Sequence, residues 1–465
     1  MDASERGHQK SRWRVGVLIV LAAVAVAFFL EKQLPPAAAR KFVCAINADP
    51  HAAVAGITPS VVFDPRPYYM DLLGRGKPPW RITSFEPATK FQTRFKVRDA
   101  TGDETFVILT HQGDGSIETL HFWPYIQGST LAQMAGSALS RTGSPGVALA
   151  FWKDGEEAVE VRGVRDKVSQ DALRASDTWP CELNGSLIQL TTAKMVEAGD
   201  LRWDQRVTDL LGIYELPSTA NGVRVSDLLE RRVDKIDLAR PVISPGKFDD
   251  NTKIGYIRAA FDPHTQSRGQ PSEHAFSPDN TILTAVIEEA SRRPVEDMIA
   301  TTVLEPLGMG AASFGKPDVR PTAGPPHPPV ACKAPFLAKG RPFCVSLPEL
   351  LKFGRLKLDE ERRISHFLTL DSFSRLGRRT GVDWAGIHQE VDWGWISERK
   401  NSVTFWRYSA SRVDAGGETA VELLVLPEQN AVIAVAMIGE NRYISDKVSP
   451  ILWRIAERLC GFPKK

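Results

Sequence analysis

Two short strings of the sequence place a serine three residues before a longer polar side chain, a spacing that brings both groups to one face of a helix. Ser186 precedes Gln189, and Ser397 precedes Lys400. A serine can attack an acyl carbonyl when a neighbouring base takes its proton, but glutamine is not basic. Ser397 lies between two strand patterns, so we interpret its string as a turn. Because serine commonly caps helices, Ser186 also has a purely structural interpretation.

The cysteine, histidine and lysine residues do not indicate a catalytic or metal site more clearly than these serines do. Cys181 has no histidine nearby in the sequence, and since a thiol nucleophile needs a lowered pKa, we interpret it as a buried hydrophobic residue. The nine histidines are not clustered, so we predict no metal ion and no cofactor. Lys194 is interpreted as a charge on a helix surface. Cys332 and Cys344 bracket a Pro/Gly-rich stretch, so either they close a disulfide loop or all five cysteines are buried thiols.

The strongest physical signal lies near the start of the chain. Val15–Leu30 contains sixteen residues without a charge or a strongly polar group. As a helix it would rise about 24 Å, slightly less than the core of a bilayer. Four basic residues precede it: Arg6, Lys10, Arg12 and Arg14. These charges predict a cytoplasmic N-terminus and an exported remainder.

A cleaved signal peptide is the alternative, because Ala37–Ala39 resembles a small-residue cleavage site. Glu31 and Lys32 come first, and the alanines end nine residues beyond Leu30. We therefore favour an uncleaved, single-pass anchor in the inner membrane, with the main domains in the periplasm. The net charge is only +2, and no basic block is interleaved with aromatic residues, so we expect no nucleic-acid partner.

Turn signals and periodicity divide the chain into three segments. Residues 1–40 hold the cytoplasmic N-terminus, the transmembrane anchor and a linker. Residues 41–125 have the pattern of a small α+β accessory domain, with a short helix followed by strands. Residues 126–465 begin with a helix and a hairpin, pass through a helix-rich middle and return to strands before a final amphipathic helix. This order predicts an α+β fold, in which one antiparallel sheet flanked by helices receives a helical insert.

Several stretches of the third segment resemble serine β-lactamases, penicillin-binding proteins and related class C-type esterases. PGVALAFWKDGE is similar to the opening hairpin of that family, and AKMVEAGDLRWDQRVTDLL is similar to the segment after its nucleophile helix. The most specific match ends in Glu305–Met309, which follows an amphipathic helix. The resemblance extends from Ser129 to the C-terminus and implies a β-lactamase/transpeptidase-like fold.

The chemistry implied by this resemblance depends first on a serine that starts a buried helix and a lysine three residues later. Without gaps, these two roles fall on Glu182 and Gly185, which provide neither a serine nucleophile nor an amine. A shift of four residues, about one helical turn, gives them to Ser186 and Gln189. In either alignment the lysine is missing.

The two other family motifs also differ in this chain. A Tyr-x-Asn loop relays the proton in the family, but the position falls on Phe276–Pro278, which has neither the phenol nor the amide. A Lys- or His-x-Gly strand helps to form the oxyanion hole, and the last strands contain no such string. Arg412 in that region is a candidate for binding a carboxylate. The fold is therefore expected to be retained and the acyl-transfer site impaired.

Three functional hypotheses remain open. The first is a catalytically impaired, membrane-anchored periplasmic protein that binds a peptidoglycan fragment or an envelope protein. The second is an active serine hydrolase of the esterase, amidase or carboxypeptidase type, with a non-standard site around Ser186. The third is an envelope scaffold whose cleft is filled by side chains such as Phe276.

Overall fold

The architecture is that of a computed structural model of the 465-residue chain. It divides into two compact units, Met1–Tyr125 and Ile126–Lys465, and each is described by itself. The structure describes residues 36–50, 77–85, 92–102, 104–111, 117–124, 126–166, 170–229, 250–262, 278–315, 317–319, 342–376 and, with short gaps, 380–461.

The described residues of the first unit form one helix and one sheet. Helix α1 (Ala37–Ala48) precedes the strands β1 (Arg81–Phe85), β2 (Gln92–Arg98), β3 (Glu104–His111) and β4 (Ile117–Pro124), which form an antiparallel sheet in that order. Alternate residues of β2 are buried, as expected for a sheet covered on one side. Phe42 of α1 packs edge-on against Phe95 of β2, with ring centroids 6.1 Å apart.

The second unit contains the remaining helices and strands. In chain order they are α2 (Leu131–Thr142), β5 (Gly146–Lys153), β6 (Glu156–Gly163), β7 (Trp179–Cys181), α3 (Asn184–Ala198), α4 (Val207–Leu210), α5 (Val225–Leu229), α6 (Asp250–Phe261), α7 (Pro278–Ser291), α8 (Val295–Ile299), β8 (Ser313–Phe314), β9 (Phe343–Val345), α9 (Leu347–Glu361), α10 (Leu370–Leu376), β10 (Thr380–Trp384), β11 (Ile387–Asp392), β12 (Trp395–Lys400), β13 (Val403–Ser409), β14 (Arg412–Asp414), β15 (Gly417–Leu426), β16 (Ala431–Gly439) and α11 (Ile444–Leu459).

A large antiparallel sheet joins the two ends of this unit. Its strand order is β10-β11-β12-β13-β15-β16-β5-β6, and β14 pairs with β15 beside this path. β16 pairs with β5, so that Ala434 lies opposite Ala150, and the predicted sheet built from both ends is confirmed. Helices α2 and α11 pack on one face of the sheet and α9 packs on the other. A smaller sheet has the order β7-β9-β8.

Two apolar cores lie on opposite faces of the large sheet. On β15, Ala420 and Leu424 belong to the core shared with α2 and α11, whereas Val421 and Leu423 belong to the core shared with α3 and α9. All residues of β16 are buried. Since successive strand residues point to opposite faces, a strand buried on both sides has to be apolar throughout.

The family-like string Glu305–Met309 forms a turn that α9 holds in place. Gly308 has a φ of +67°, a conformation that glycine adopts without a steric penalty. After the turn, the backbone N–H groups of Ala311 and Ala312 donate to Glu349 Oε1 over 2.7 and 3.2 Å. This carboxylate is buried, so the contacts fix the turn against the start of α9.

The expected membrane anchor, Val15–Leu30, lies outside the described residues. Within the part of the chain that the structure describes, no helix has both the length and the apolar character needed to cross a membrane.

Candidate functional site

α3 is the central helix of the second unit, and the resemblance places the nucleophile near its start. β7 leads into it through Glu182 and Leu183. Leu187 and Leu190 are fully buried, and α7, α8 and α10 pack around the helix. It ends at Gly199, whose φ of +85° is typical of a helix C-terminus. A helix enclosed in this way holds the side chains of its first turn in fixed positions.

Other groups occupy the two positions that the ungapped match assigns to serine and lysine. The Glu182 carbonyl accepts a 2.7 Å hydrogen bond from the Tyr408 hydroxyl. Gly185 faces Asn280 of α7, and a Cβ atom at position 185 would lie 2.8 Å from Asn280 Nδ2. Non-bonded heavy atoms of this kind prefer about 3.5–4.0 Å. The amide of Asn280 therefore occupies the space that a side chain at position 185 would need.

Ser186, the candidate nucleophile, lies in the interior. It is 1% exposed, and its Oγ is 3.5 Å from the Tyr408 hydroxyl oxygen, at the outer limit of a hydrogen bond. One turn later, Gln189 is also buried, and its carboxamide cannot act as a general base near neutral pH. A substrate carbonyl has to come within about 3–3.5 Å of the attacking oxygen. At 1% exposure, Ser186 presents almost no surface to solvent.

Aromatic side chains fill the space beside the start of α3. Tyr408 of β13 packs edge-on against Trp395 of β12 and Phe353 of α9, with ring centroids 5.4 and 6.1 Å apart. Phe353 and Trp395 stack on each other at 5.9 Å. All three residues are buried. The Tyr408 ring is consequently held on two sides, with its hydroxyl directed to the junction of β7 and α3.

Cys181 is a buried thiol next to the candidate nucleophile position. Burial raises its pKa well above the ordinary range, and the charges of Glu182 and Cys344 raise it further. The thiol is therefore protonated at neutral pH, as a structural cysteine would be. Cys344 is buried, and Cys332 lies outside the described residues, so the loop disulfide between them stays a prediction.

The interpretation of Ser397–Lys400 as a turn is wrong, because this string lies within β12. Lys194 lies on α3 with 28% of its side chain exposed. Its ammonium also donates to the Phe367 carbonyl and lies 4.8 Å from the centroid of that ring. Lys194 thus attaches the segment before α10 to α3.

The remaining candidate residues lie at the edges of the described region. Arg412 is the first residue of β14 and pairs with Thr419 of β15. Phe276 and Ser277 lie outside the described residues, and Pro278 is the first residue of α7. Across the described ranges, no group of three or more His, Cys, Asp or Glu side chains is arranged to hold a metal ion.

Asn280 and Tyr408 shape this site, although the sequence assigned neither of them a role. Tyr408 is separated from Ser186 by 222 residues and from Glu182 by 226. Asn280 reaches Gly185 from a different helix. No local spacing signal connects such positions, because the contacts exist only once the sheet and α7 have packed around α3.

Comparisons with known proteins agree with this architecture. The family model described as Beta-lactamase matches residues 131–442. A solved structure of SurE with D-Leu is 17% identical, has a TM-score of 0.50 and covers 70% of this chain and 74% of its own. An octameric penicillin-binding protein homologue from Pyrococcus abyssi is 16% identical, with a TM-score of 0.48 and coverage of 70% and 75%.

A class C β-lactamase is 13% identical, with a TM-score of 0.49, and covers 70% of this chain and 94% of its own. No curated protein matches the sequence significantly. At 17% identity the similarity to SurE concerns the fold alone, and the family model supplies the relationship.

Proposed function

The chain belongs to the β-lactamase family, and on that basis we propose that it is a membrane-anchored, periplasmic family member that acts by binding and not by acyl transfer. The proposed ligand is a peptidoglycan fragment or an envelope protein. The family model supports the fold and the relationship to serine hydrolases. The loss of catalysis is inferred from the residues at the start of α3.

One observation carries this proposal. The only serine in the first turn of α3 is Ser186, and it is 1% exposed. The position three residues after it is a glutamine, and Asn280 fills the side-chain space at Gly185. A serine needs a nearby base and an open approach for the substrate, and general acid–base assistance alone contributes about 10²–10⁴-fold. The glutamine at position 189 and the burial of Ser186 therefore both support the loss of acyl transfer.

The proposed location rests on the sequence before the described residues. Val15–Leu30 is apolar and follows four basic residues, a pattern typical of an anchor with a cytoplasmic N-terminus. Anchoring of this kind would place both units outside the cytoplasm. Peptidoglycan and envelope proteins are the macromolecules available there.

The competing hydrolase hypothesis is tested by turnover of a generic ester. We expect the full chain, Ser186→Ala and the matched control Ser140→Ala, which changes an exposed serine, to hydrolyse the ester at the same background rate. Loss of turnover in Ser186→Ala alone would contradict the proposal and establish a serine hydrolase. Unchanged rates across the three proteins support the non-catalytic assignment.

The peptidoglycan ligand is tested by co-sedimentation with purified sacculi. The full chain in detergent should sediment with the sacculi and remain in the supernatant after the sacculi have been digested with a muramidase. A chain that never sediments would contradict a peptidoglycan ligand. The envelope-protein ligand would then be tested by crosslinking in intact cells.

A further inference from the structure

The interface between α3 and α7 is unusually polar for the centre of a domain. On α3, Gln189 is 2% exposed, and on α7, Asn280 is 4% exposed and Thr284 is 1% exposed. Apolar side chains normally fill such positions, and buried polar groups are normally hydrogen-bonded. Each of these groups therefore has to find a hydrogen-bond partner.

Two of the polar atoms in this interface have no such partner. Thr284 Oγ1 donates to the Asn280 backbone carbonyl over 2.8 Å and is satisfied. The side-chain oxygens Gln189 Oε1 and Asn280 Oδ1 are both fully buried, and neither receives a hydrogen bond from any residue that the structure describes. Both atoms are carbonyl oxygens of carboxamides, so both lack a donor.

Both oxygens belong to side chains on the face of α3 and α7 where the two helices meet. Asn280 Nδ2 lies against Gly185, where a Cβ atom would approach it to 2.8 Å. Gly185 and Gln189 are four residues apart on α3, so they occupy the same face on successive turns. Gln189 therefore lies on the face of α3 that contacts Asn280, about one helical turn after Gly185 and close to the start of α3.

We propose that the α3–α7 interface is a binding site for a small neutral hydrogen-bond donor, the hydroxyl of a small ligand or a trapped water molecule. An acceptor that is removed from water and left without a donor costs free energy, so two such acceptors on one helix face, about one turn apart, favour a shared donor. Both acceptors are uncharged. A neutral donor fits them better than an ammonium, because a buried cation requires a carboxylate partner.

Removing either carboxamide should change the thermal stability of the chain, and the direction of the change depends on whether a donor is bound. If a bound donor satisfies the two oxygens, Gln189→Met and Asn280→Leu, which keep the size of the side chains, remove hydrogen bonds and should each lower the Tm of the full chain by about 3 °C or more. If the oxygens are truly unsatisfied, the same substitutions remove a desolvation penalty and raise the Tm. An unchanged or raised Tm in both variants would overturn the proposal.

Thr192→Val is the matched control on the same helix. Thr192 Oγ1 is buried and donates to the Ile188 carbonyl over 2.8 Å, so its loss reports the effect of removing a polar group whose partner is known. If the variants fail to fold, a crystal structure of the unaltered chain provides an independent test. It should show density within hydrogen-bonding distance of both oxygens, and an interface without such density would overturn the proposal.

Extraction of the purified chain distinguishes a ligand hydroxyl from a trapped water molecule. The purified chain is denatured, and the released small molecules are analysed by mass spectrometry. Release of one equivalent of a hydroxyl compound identifies a bound ligand. If no such compound is released but the crystal structure shows density between α3 and α7, the donor is water. Both results support the site. This inference does not depend on the loss of catalysis, because ester turnover at Ser186 and a donor at the α3–α7 interface are measured separately.

Discussion

At the scale of single residues, the first turn of α3 departs from the Ser-x-x-Lys motif of the family. Gly185 stands where the ungapped match requires a lysine, and Asn280 closes the space in front of it. Ser186 retains a hydroxyl, but it is buried and lies against Tyr408. One glycine in contact with one amide therefore excludes a side chain that acyl transfer would need.

The contact between Gly185 and Asn280 predicts an energetic coupling. Alanine is favoured over glycine in a helix by about 0.5–1 kcal/mol, but in Gly185→Ala the new methyl group meets the Asn280 amide. We expect Gly185→Ala to be more favourable by about 1 kcal/mol or more when it is made in Asn280→Ala than in the parent. Denaturant unfolding of the four proteins measures this difference.

Gly136→Ala is the control for the comparison of Gly185→Ala in the parent and in Asn280→Ala. Gly136 is a helical glycine of α2, and a Cβ atom at this position would have nothing within 4 Å. This substitution should stabilise the protein in both backgrounds to the same extent. Equal effects of Gly185→Ala in the two backgrounds would contradict the packing at the start of α3.

Buried thiols predict a loss of stability at alkaline pH. Burial raises the pKa of Cys460 from 9.0 to about 12. Because the unfolded thiol ionises first, this contribution to stability is complete below about pH 9 and is lost as the pH rises toward 12, by at most about 1.4 kcal/mol per pH unit. In Cys460→Ala, the decrease in unfolding free energy between about pH 9 and about pH 11 should be smaller than in the parent.

Denaturant unfolding at several pH values tests this expectation, with Cys44→Ala as the matched control because it removes an exposed thiol. A decrease that is the same in Cys460→Ala and in the parent would show that the Cys460 thiol is not shielded from solvent.

At the scale of elements, the site is formed by packing α3 between α7 and the large sheet, with β13 contributing Tyr408. The sequence predicted the sheet and the Glu305–Met309 match because those signals are local: strand periodicity, turn residues and a fixed string. It did not predict that Ser397–Lys400 is a strand, since its polar residues resemble a turn. The contacts of Lys194 with Phe367 were likewise missed because they depend on how α10 packs on α3.

The turn after α8 predicts a stability effect at Glu349. Its buried carboxylate accepts from the Ala311 and Ala312 N–H groups and from Ser346 Oγ over 3.1 Å. Glu349→Ala leaves these donors without a partner and should lower the unfolding free energy by about 2–3 kcal/mol. Glu349→Gln keeps one acceptor oxygen and should cost less.

The ion pair Arg292–Glu289 provides the comparison for Glu349. Its arginine is 79% exposed and its carboxylate side chain 15%, and because an ion pair that reaches solvent contributes little, Glu289→Ala should cost no more than about 1 kcal/mol. Similar costs for Glu349→Ala and Glu289→Ala would indicate that the turn is not held by the Glu349 carboxylate.

At the scale of the whole molecule, the chain combines a small α+β unit with a β-lactamase-family unit. The fold of the second unit could be predicted because several matching segments occur in the correct order. Its site could be predicted only as a departure from the family motifs, because the groups that surround Ser186 and Gly185 come from distant parts of the chain. The sequence does not define a ligand for the first unit.

The proposed anchor is tested by membrane fractionation. The full chain should remain with membranes after extraction at alkaline pH, and deletion of Val15–Leu30 should release it, because this stretch is the apolar part of the N-terminal segment. Deletion of Gln33–Pro36, which removes only linker residues, should leave it membrane-bound. Release of the unaltered chain together with a new N-terminus near Ala39 would instead establish cleavage.

The most direct test of the central claim is the intact mass of the folded chain after incubation with a fluorophosphonate and, separately, with a penicillin. A family enzyme with a working serine forms a stoichiometric covalent adduct with such reagents. Because Ser186 is buried beside Tyr408 and position 189 is a glutamine where the family motif has a lysine, we predict an unchanged mass with both reagents. A one-to-one adduct that maps to Ser186 would contradict the proposal and establish an acyl-enzyme mechanism.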